Sequence, residues 1–157
     1  MAAGLTVDEQ NRMITTRNEN AVPHTAWWSY DSRTLDSPTD VEDLFATATT
    51  TWYSNAVKAI RILIGPAGTD ETRAPLQVDI DIDEGRAHVR WRPDDTLGFE
   101  EGAKPHHRSL RVHIQSDEPL ATLEGADCLV TPGYALRAVE EYTETGARPG
   151  CLGWRPY

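Results

Sequence analysis

The chain has only two cysteines, Cys128 and Cys151, in 157 residues. They lack the paired spacing of a zinc site or redox motif, which excludes a disulfide framework and points to reduced, buried thiols. Long apolar runs are missing too. No segment approaches the ~20 apolar residues that a bilayer-crossing helix needs, so no membrane partner is expected. The first ten residues have neither a basic start nor an apolar stretch, so no secretory signal is expected there and a cytoplasmic location is. Positive charge is scarce as well. Fifteen Lys and Arg stand against 25 Asp and Glu, a net charge of −10. Phosphate binding needs clustered cations, so nucleic acid is not expected as a direct partner. A basic protein is, because complementary fields speed encounter and reject wrong partners. Solubility is the other use of such a balance.

Catalytic signatures are equally sparse. Asp79-x-Asp81-x-Asp83-Glu84-Gly85 has the carboxylate spacing of a calcium loop, but that loop needs Gly at its sixth position and Glu at its twelfth. Here those positions hold Glu84 and Arg90. His106 and His107 are adjacent, and with His88 and His113 they lack helical ligand spacing, so solvated loop and sheet-surface histidines are expected. There is no strand–turn–helix nucleophile elbow, and Gly65-Pro66-Ala67-Gly68 lacks the lysine of a phosphate loop. A zinc deaminase would need His-x-Glu and Pro-Cys-x-x-Cys, and both are missing. The reading is no enzyme, no metal and no cofactor.

What is present is a patterned single domain. Residues 1–20 are polar and aperiodic and read as a loosely ordered arm, with residues 21–157 as one domain. His24–Tyr30 is a β-like, aromatic run, in which adjacent Trp27 and Trp28 must point opposite ways, so that one is core. Ser37-Pro38 opens a helix whose stripe is Val41, Leu44, Phe45 and Ala48, and the Thr-rich stretch 47–51 should end it. Ile60, Ile62 and Ile64 share one face of a strand and Ala59 and Leu63 the other, which suits a central position. Leu76–Asp83 and Arg86–Arg92 alternate strictly around Glu84-Gly85. A two-residue turn there would pair Asp83 with Arg86, Asp81 with His88 and Asp79 with Arg90 as exposed ion pairs, with the isoleucines on the buried face. Residues 93–108 read as a polar connection, Leu110, Val112 and Ile114 as a strand, and Leu152 and Trp154 as a last short strand. The sum is an α+β fold: an antiparallel sheet of five to six strands with two helices packed mainly on one face.

The end of the chain is the most specific stretch. Thr131 is a plausible N-cap, Pro132 suits the first helical turn, and Ala135, Ala138, Val139 and Tyr142 form one apolar stripe. Gly146 supplies a left-handed stop and Pro149 prevents resumption. This helix ends in Tyr142-Thr-Glu-Thr-Gly-Ala-Arg-Pro149, followed by Cys151-Leu-Gly-Trp154. It resembles the C-terminus of the first-numbered family of bacterial polymorphic-toxin immunity proteins, often encoded beside deaminase-type toxins. The likeness is strongest over residues 131–155 and looser from about Val22 onward. It implies a cognate protein toxin of the deaminase type as partner, which the net charge expects to be basic, and no chemistry by this chain.

Candidate contact residues follow from charge. Asp94, Asp95, Glu100 and Glu101 surround Leu97-Gly98-Phe99 with only Lys104 near them, and Asp117 and Glu118 are lesser candidates. Carboxylates would steer a basic partner and Phe99 would anchor in a pocket. The alternative is a solvated loop whose Phe99 folds back into the core. An acidic regulatory or scaffold module unrelated to toxins is the competing function. Oligomeric state is left open by the sequence.

Overall fold

A computed structural model describes residues 22–50, 59–113 and 119–157. The expected N-terminal arm, Ile114 and the candidates Asp117 and Glu118 lie outside the described residues. Among the described residues nine strands form one sheet: β1 (His24–Trp28), β2 (Asp31–Leu35), β3 (Ala59–Pro66), β4 (Leu76–Asp81), β5 (Arg86–Trp91), β6 (Thr96–Phe99), β7 (Leu110–His113), β8 (Pro119–Leu123) and β9 (Gly153–Pro156). Two α-helices, α1 (Pro38–Thr50) and α2 (Pro132–Thr145), occur among the described residues. The strand order is β2-β1-β3-β4-β5-β6-β9, with β7 and β8 branching from the start of β3. All pairings are antiparallel except β3 with β7.

The sheet therefore exceeds the expected five to six strands by β2, β6 and β8. None of these carries a strong strand signal. Asp31-Ser-Arg-Thr-Leu35 has one large apolar residue, β6 lies within the presumed polar connection and contains Gly98, and β8 opens with Pro119. Gly, Pro and Asp are depleted in strands, so local pattern gives these segments no weight until neighbours pair with them.

Both helices fold as their sequence indicates. Val41, Leu44, Phe45 and Ala48 of α1 and Ala135, Ala138, Val139 and Tyr142 of α2 are all buried. They share one core with the inward residues of β3, β4 and β5, so both helices cover the same face. Each larger aliphatic side chain there contributes roughly 1.5–3 kcal/mol. Gly146 is left-handed, and its N–H donates to the Tyr142 carbonyl. Burial pushes the Tyr142 hydroxyl up to about 12. Its ring meets His24 and Trp91 edge-on, at 4.9 and 5.6 Å between centroids. Trp28 is the core member of the adjacent pair, Trp27 is half-buried, and Tyr30 is exposed in the turn that follows.

The β4–β5 hairpin corrects two expectations. Its register pairs Asp81 with Arg86, Asp79 with His88 and Gln77 with Arg90, two residues away from the pairing that a Glu-Gly turn would give. A two-residue turn of the favoured kind needs positive φ at both central residues, and Gly85 alone has it (φ 63°). Instead the Asp81 carboxylate accepts the Glu84 N–H at 3.1 Å and closes a wider loop, with Ile82 left half out. The second correction concerns the polar face, which is buried. Asp79, Asp81, Arg86, His88 and Gln77 are each at most 5% exposed, and His24 and His113 are buried as well. A second apolar cluster of Ala59, Leu110, Val112, Leu123 and Cys128 lies on this side. Arg86 donates to the carbonyls of Arg108 and Ser109.

Candidate interaction surface

The segment carrying Asp94 to Glu101 is a hairpin arm. Asp94 and Asp95 form the β5–β6 turn, β6 occupies Thr96–Phe99, and Glu100 and Glu101 follow at its far end. The strand separates the two acidic pairs, with Asp95 and Glu100 about 16 Å apart at ~3.3 Å per residue. Asp95 takes a left-handed backbone, φ 57°, which a short polar side chain tolerates. Its carboxylate is 2.6 Å from Arg90 Nη2, and its carbonyl accepts the Tyr157 N–H. Asp94 holds Arg148 at 2.7 Å and accepts the Thr96 hydroxyl. Both arginines also cover rings: Arg90 lies 4.8 Å from the Tyr157 centroid and Arg148 5.6 Å from that of Trp154. These two carboxylates therefore help dock the C-terminal tail onto β6.

Phe99 is half-buried and lies flat over Gly153 of β9, where an added Cβ would come within 2.4 Å of the ring. The ring is the reason for a glycine at 153. Glu100 accepts the backbone N–H of Thr131 at the start of α2, a carboxylate placed against the positive end of a helix. The Thr131 side chain makes no cap hydrogen bond, and Glu100 takes a different donor of the helix start, the N–H of Thr131 itself. Glu101 is exposed and has no partner among the described residues. Between Glu100, Glu101, Lys104, His106 and Thr131 lies a cleft of ≈ 310 Å³ with Cys128 and Val130 in its wall. Burial pushes the Cys128 thiol up to about 11, so it is a neutral wall group. Both cysteines are free thiols.

Beneath the same sheet lies the most concentrated polar chemistry. Fully buried Asp79 receives Arg61 through two hydrogen bonds, at 2.6 and 3.3 Å, and Gln77 Nε2 at 2.8 Å. His88 Nδ1 is 3.2 Å away. An ionised carboxylate can only accept, so this nitrogen carries the proton. Burial pushes the Asp79 carboxyl upward, but the His88 hydrogen bond and the Arg61 charge outweigh it and hold it below the usual range. Asp81 goes the other way, raised chiefly by burial, with Arg86 3.9 Å distant. The ring of Tyr157 closes over His88, centroids 5.8 Å apart. The group has the composition of a site but is enclosed by sheet, tail and second cluster.

The acidic surface that sequence reasoning passed over is at the other end of the sheet. Asp31, Asp36, Glu42 and Asp43 are exposed and have no ion pair or hydrogen bond to their carboxylates among the described residues. Asp40 is held locally by the Asp36 N–H and the Ser37 hydroxyl. Arg33 is the one cation in residues 30–50 and lies 5.8 Å over the Trp28 ring. Tyr30, 80% exposed, sits at the tip of the β1–β2 hairpin. The signal was in the sequence, as five carboxylates against one arginine between Asp31 and Asp43, but the helix stripe absorbed it.

A family model described as Immunity protein Imm1 matches residues 29–156. The match runs from the β1–β2 turn to the last residue of β9 and covers both helices and the β4–β5 and β5–β6 hairpins. The chain belongs to the Imm1 immunity protein family. Comparison with curated proteins gives no match. Imm1 membership extends the C-terminal resemblance over the domain, and a cognate toxin is the partner that the family implies.

Proposed function

We propose that this Imm1 protein binds a cognate bacterial toxin, of the deaminase type, and neutralises it by covering its active or substrate-binding surface. The observation that carries the reading is the family match over residues 29–156, on a chain of net charge −10. A toxin that acts on nucleic acid needs a cationic substrate surface. An acidic protein is complementary to that surface, associates with it quickly and blocks it without chemistry of its own. The immunity protein works in the cytoplasm by binding alone, with no cofactor.

Within the sequence-derived contact, the direct part falls to Glu101 and the cleft rim at Glu100. Asp94 and Asp95 act through Arg148 and Arg90, and Phe99 shapes the β6–β9 edge. Asp117 and Glu118 remain lesser candidates. Co-expression with the product of the neighbouring toxin gene tests the function: growth is rescued and the two proteins co-purify. Failure of both removes the reading. Glu101→Lys tests the segment, with an association rate reduced about 3–10-fold at low salt. Unchanged rate and salt dependence would exclude it as a contact.

A further inference from the structure

β2 ends the strand order and pairs, among the described residues, with β1 alone. One of its edges therefore presents N–H and C=O groups with no strand beside them among the described residues. Such an edge is a template for another chain unless it is guarded. β9, at the other end, is guarded: it includes Pro156, which lacks an N–H, and its Trp154 indole donates to the Pro149 carbonyl of the loop beside it. β8 also has a single partner among the described residues, but Leu120–Leu123 carries no charge. β2 differs from both. Its edge is flanked by Asp31 and Asp36, with Glu42 and Asp43 on the helix that follows, all exposed and unpaired among the described residues.

Resting on the immunity reading above, we infer that the β2 edge is a docking site for an extended, basic segment of the toxin, which adds to the sheet as a further strand. Main-chain hydrogen bonds would give the contact its affinity and the flanking carboxylates its choice of partner. The charge decides the occupant. A second copy paired antiparallel with Asp31 opposite Asp36 would set like charges together, and like charges across a pair oppose it. A Lys- or Arg-bearing strand meets the same carboxylates favourably. Tyr30, beside the edge and 80% exposed, offers a ring with little side-chain entropy to lose, the kind of group that anchors interfaces. β2 is five strand steps from β6, about 24 Å at ~4.8 Å per step, so this contact is distinct from the one around Glu101.

The test uses the full chain and the purified product of the neighbouring toxin gene, inactivated by substitution. Amide hydrogen exchange is followed across Asp31–Leu35, free and in the saturated complex. The β2 amides not bonded to β1 should exchange quickly in the free protein and slow at least ~100-fold on binding. Asp31→Lys with Asp36→Lys should slow association about tenfold or more at low salt, and the difference should shrink as salt rises. Unchanged exchange in a saturated complex overturns the inference even if the doubly substituted chain fails to fold. So does protection already present in the free protein, or protection arising in a self-dimer without toxin. An unaltered association rate for a folded double variant removes the basic segment as occupant. Absence of any wild-type complex would instead sink the immunity reading itself.

Discussion

At the β6–β9 end of the sheet, Asp94 and Asp95 are held by Arg148 and Arg90 and join the tail to the hairpin, whereas at the β2 end Asp31, Asp36, Glu42 and Asp43 face solvent unpaired among the described residues. The two regions look alike in composition. Their difference lies in where the chain returns: α2 and the tail bring Arg148, Trp154 and Tyr157 beside one group of carboxylates, and among the described residues nothing comparable reaches the other. Acidic residues in this Imm1 protein therefore divide into those engaged in the fold and those exposed and unpaired among the described residues. Asp79, fully enclosed with Arg61 and His88, is the extreme of the first kind.

Urea unfolding should order the two kinds, and the largest effect belongs to the interior. Asp79→Ala is expected to cost about 3–5 kcal/mol, because Arg61 would be left without its counter-charge and His88 Nδ1 without its acceptor. A loss below about 1 kcal/mol would dissolve the distinction. The pH dependence has a definite sign. The folded-state pKa of Asp79 lies below its unfolded value of about 3.9, so its contribution is full above that value and is lost as pH falls through the folded one. Asp81, raised, contributes in the opposite sense, fully below about 3.9 and less as pH climbs through its folded value. The stability gap between wild type and Asp79→Asn should therefore narrow on acidification, read from urea midpoints in a pH series.

Next in size is Trp154→Ala, about 2–3 kcal/mol, less than a fully buried tryptophan because the ring is half-buried under Arg148. Asp94→Asn and Asp95→Asn should each cost about 0.2–1 kcal/mol, since both pairs are well exposed. Asp95→Asn should also raise tail mobility, seen as faster exchange of the Tyr157 amide. The smallest stability effect, within about 0.5 kcal/mol, is expected for Asp31→Lys with Asp36→Lys. That pair should nevertheless change toxin association the most. A double variant that is clearly destabilised would show that the β2 carboxylates build the fold after all.

The legible part of this protein was local. The stripes and stops of α1 and α2, the two-faced β3 and the alternation of β4 and β5 each follow from a period of 3.6 or 2 within a few residues. The hairpin register missed by two because a single carboxylate, Asp81, accepts the Glu84 N–H and sets a longer loop. Phe99 could be read as anchor or core from sequence, and Gly153, more than fifty positions away, tipped it toward the fold. β2 and β6 have little strand character alone and exist through their neighbours.

The sequence by itself determined the class of the fold, the helices, the buried face of the sheet, an acidic balance suited to a basic partner, and the resemblance that pointed to an immunity family. Tertiary structure alone decided that the second face of the β4–β5 hairpin is covered. It also decided that Asp94, Asp95 and Glu100 are engaged within the chain, and that the acids unpaired among the described residues lie beside a strand with one neighbour there. Periodicity reports which side chains share a face, since that follows from backbone geometry a few residues long. What covers that face, and which distant cation meets which carboxylate, depends on chain returns that no local pattern encodes.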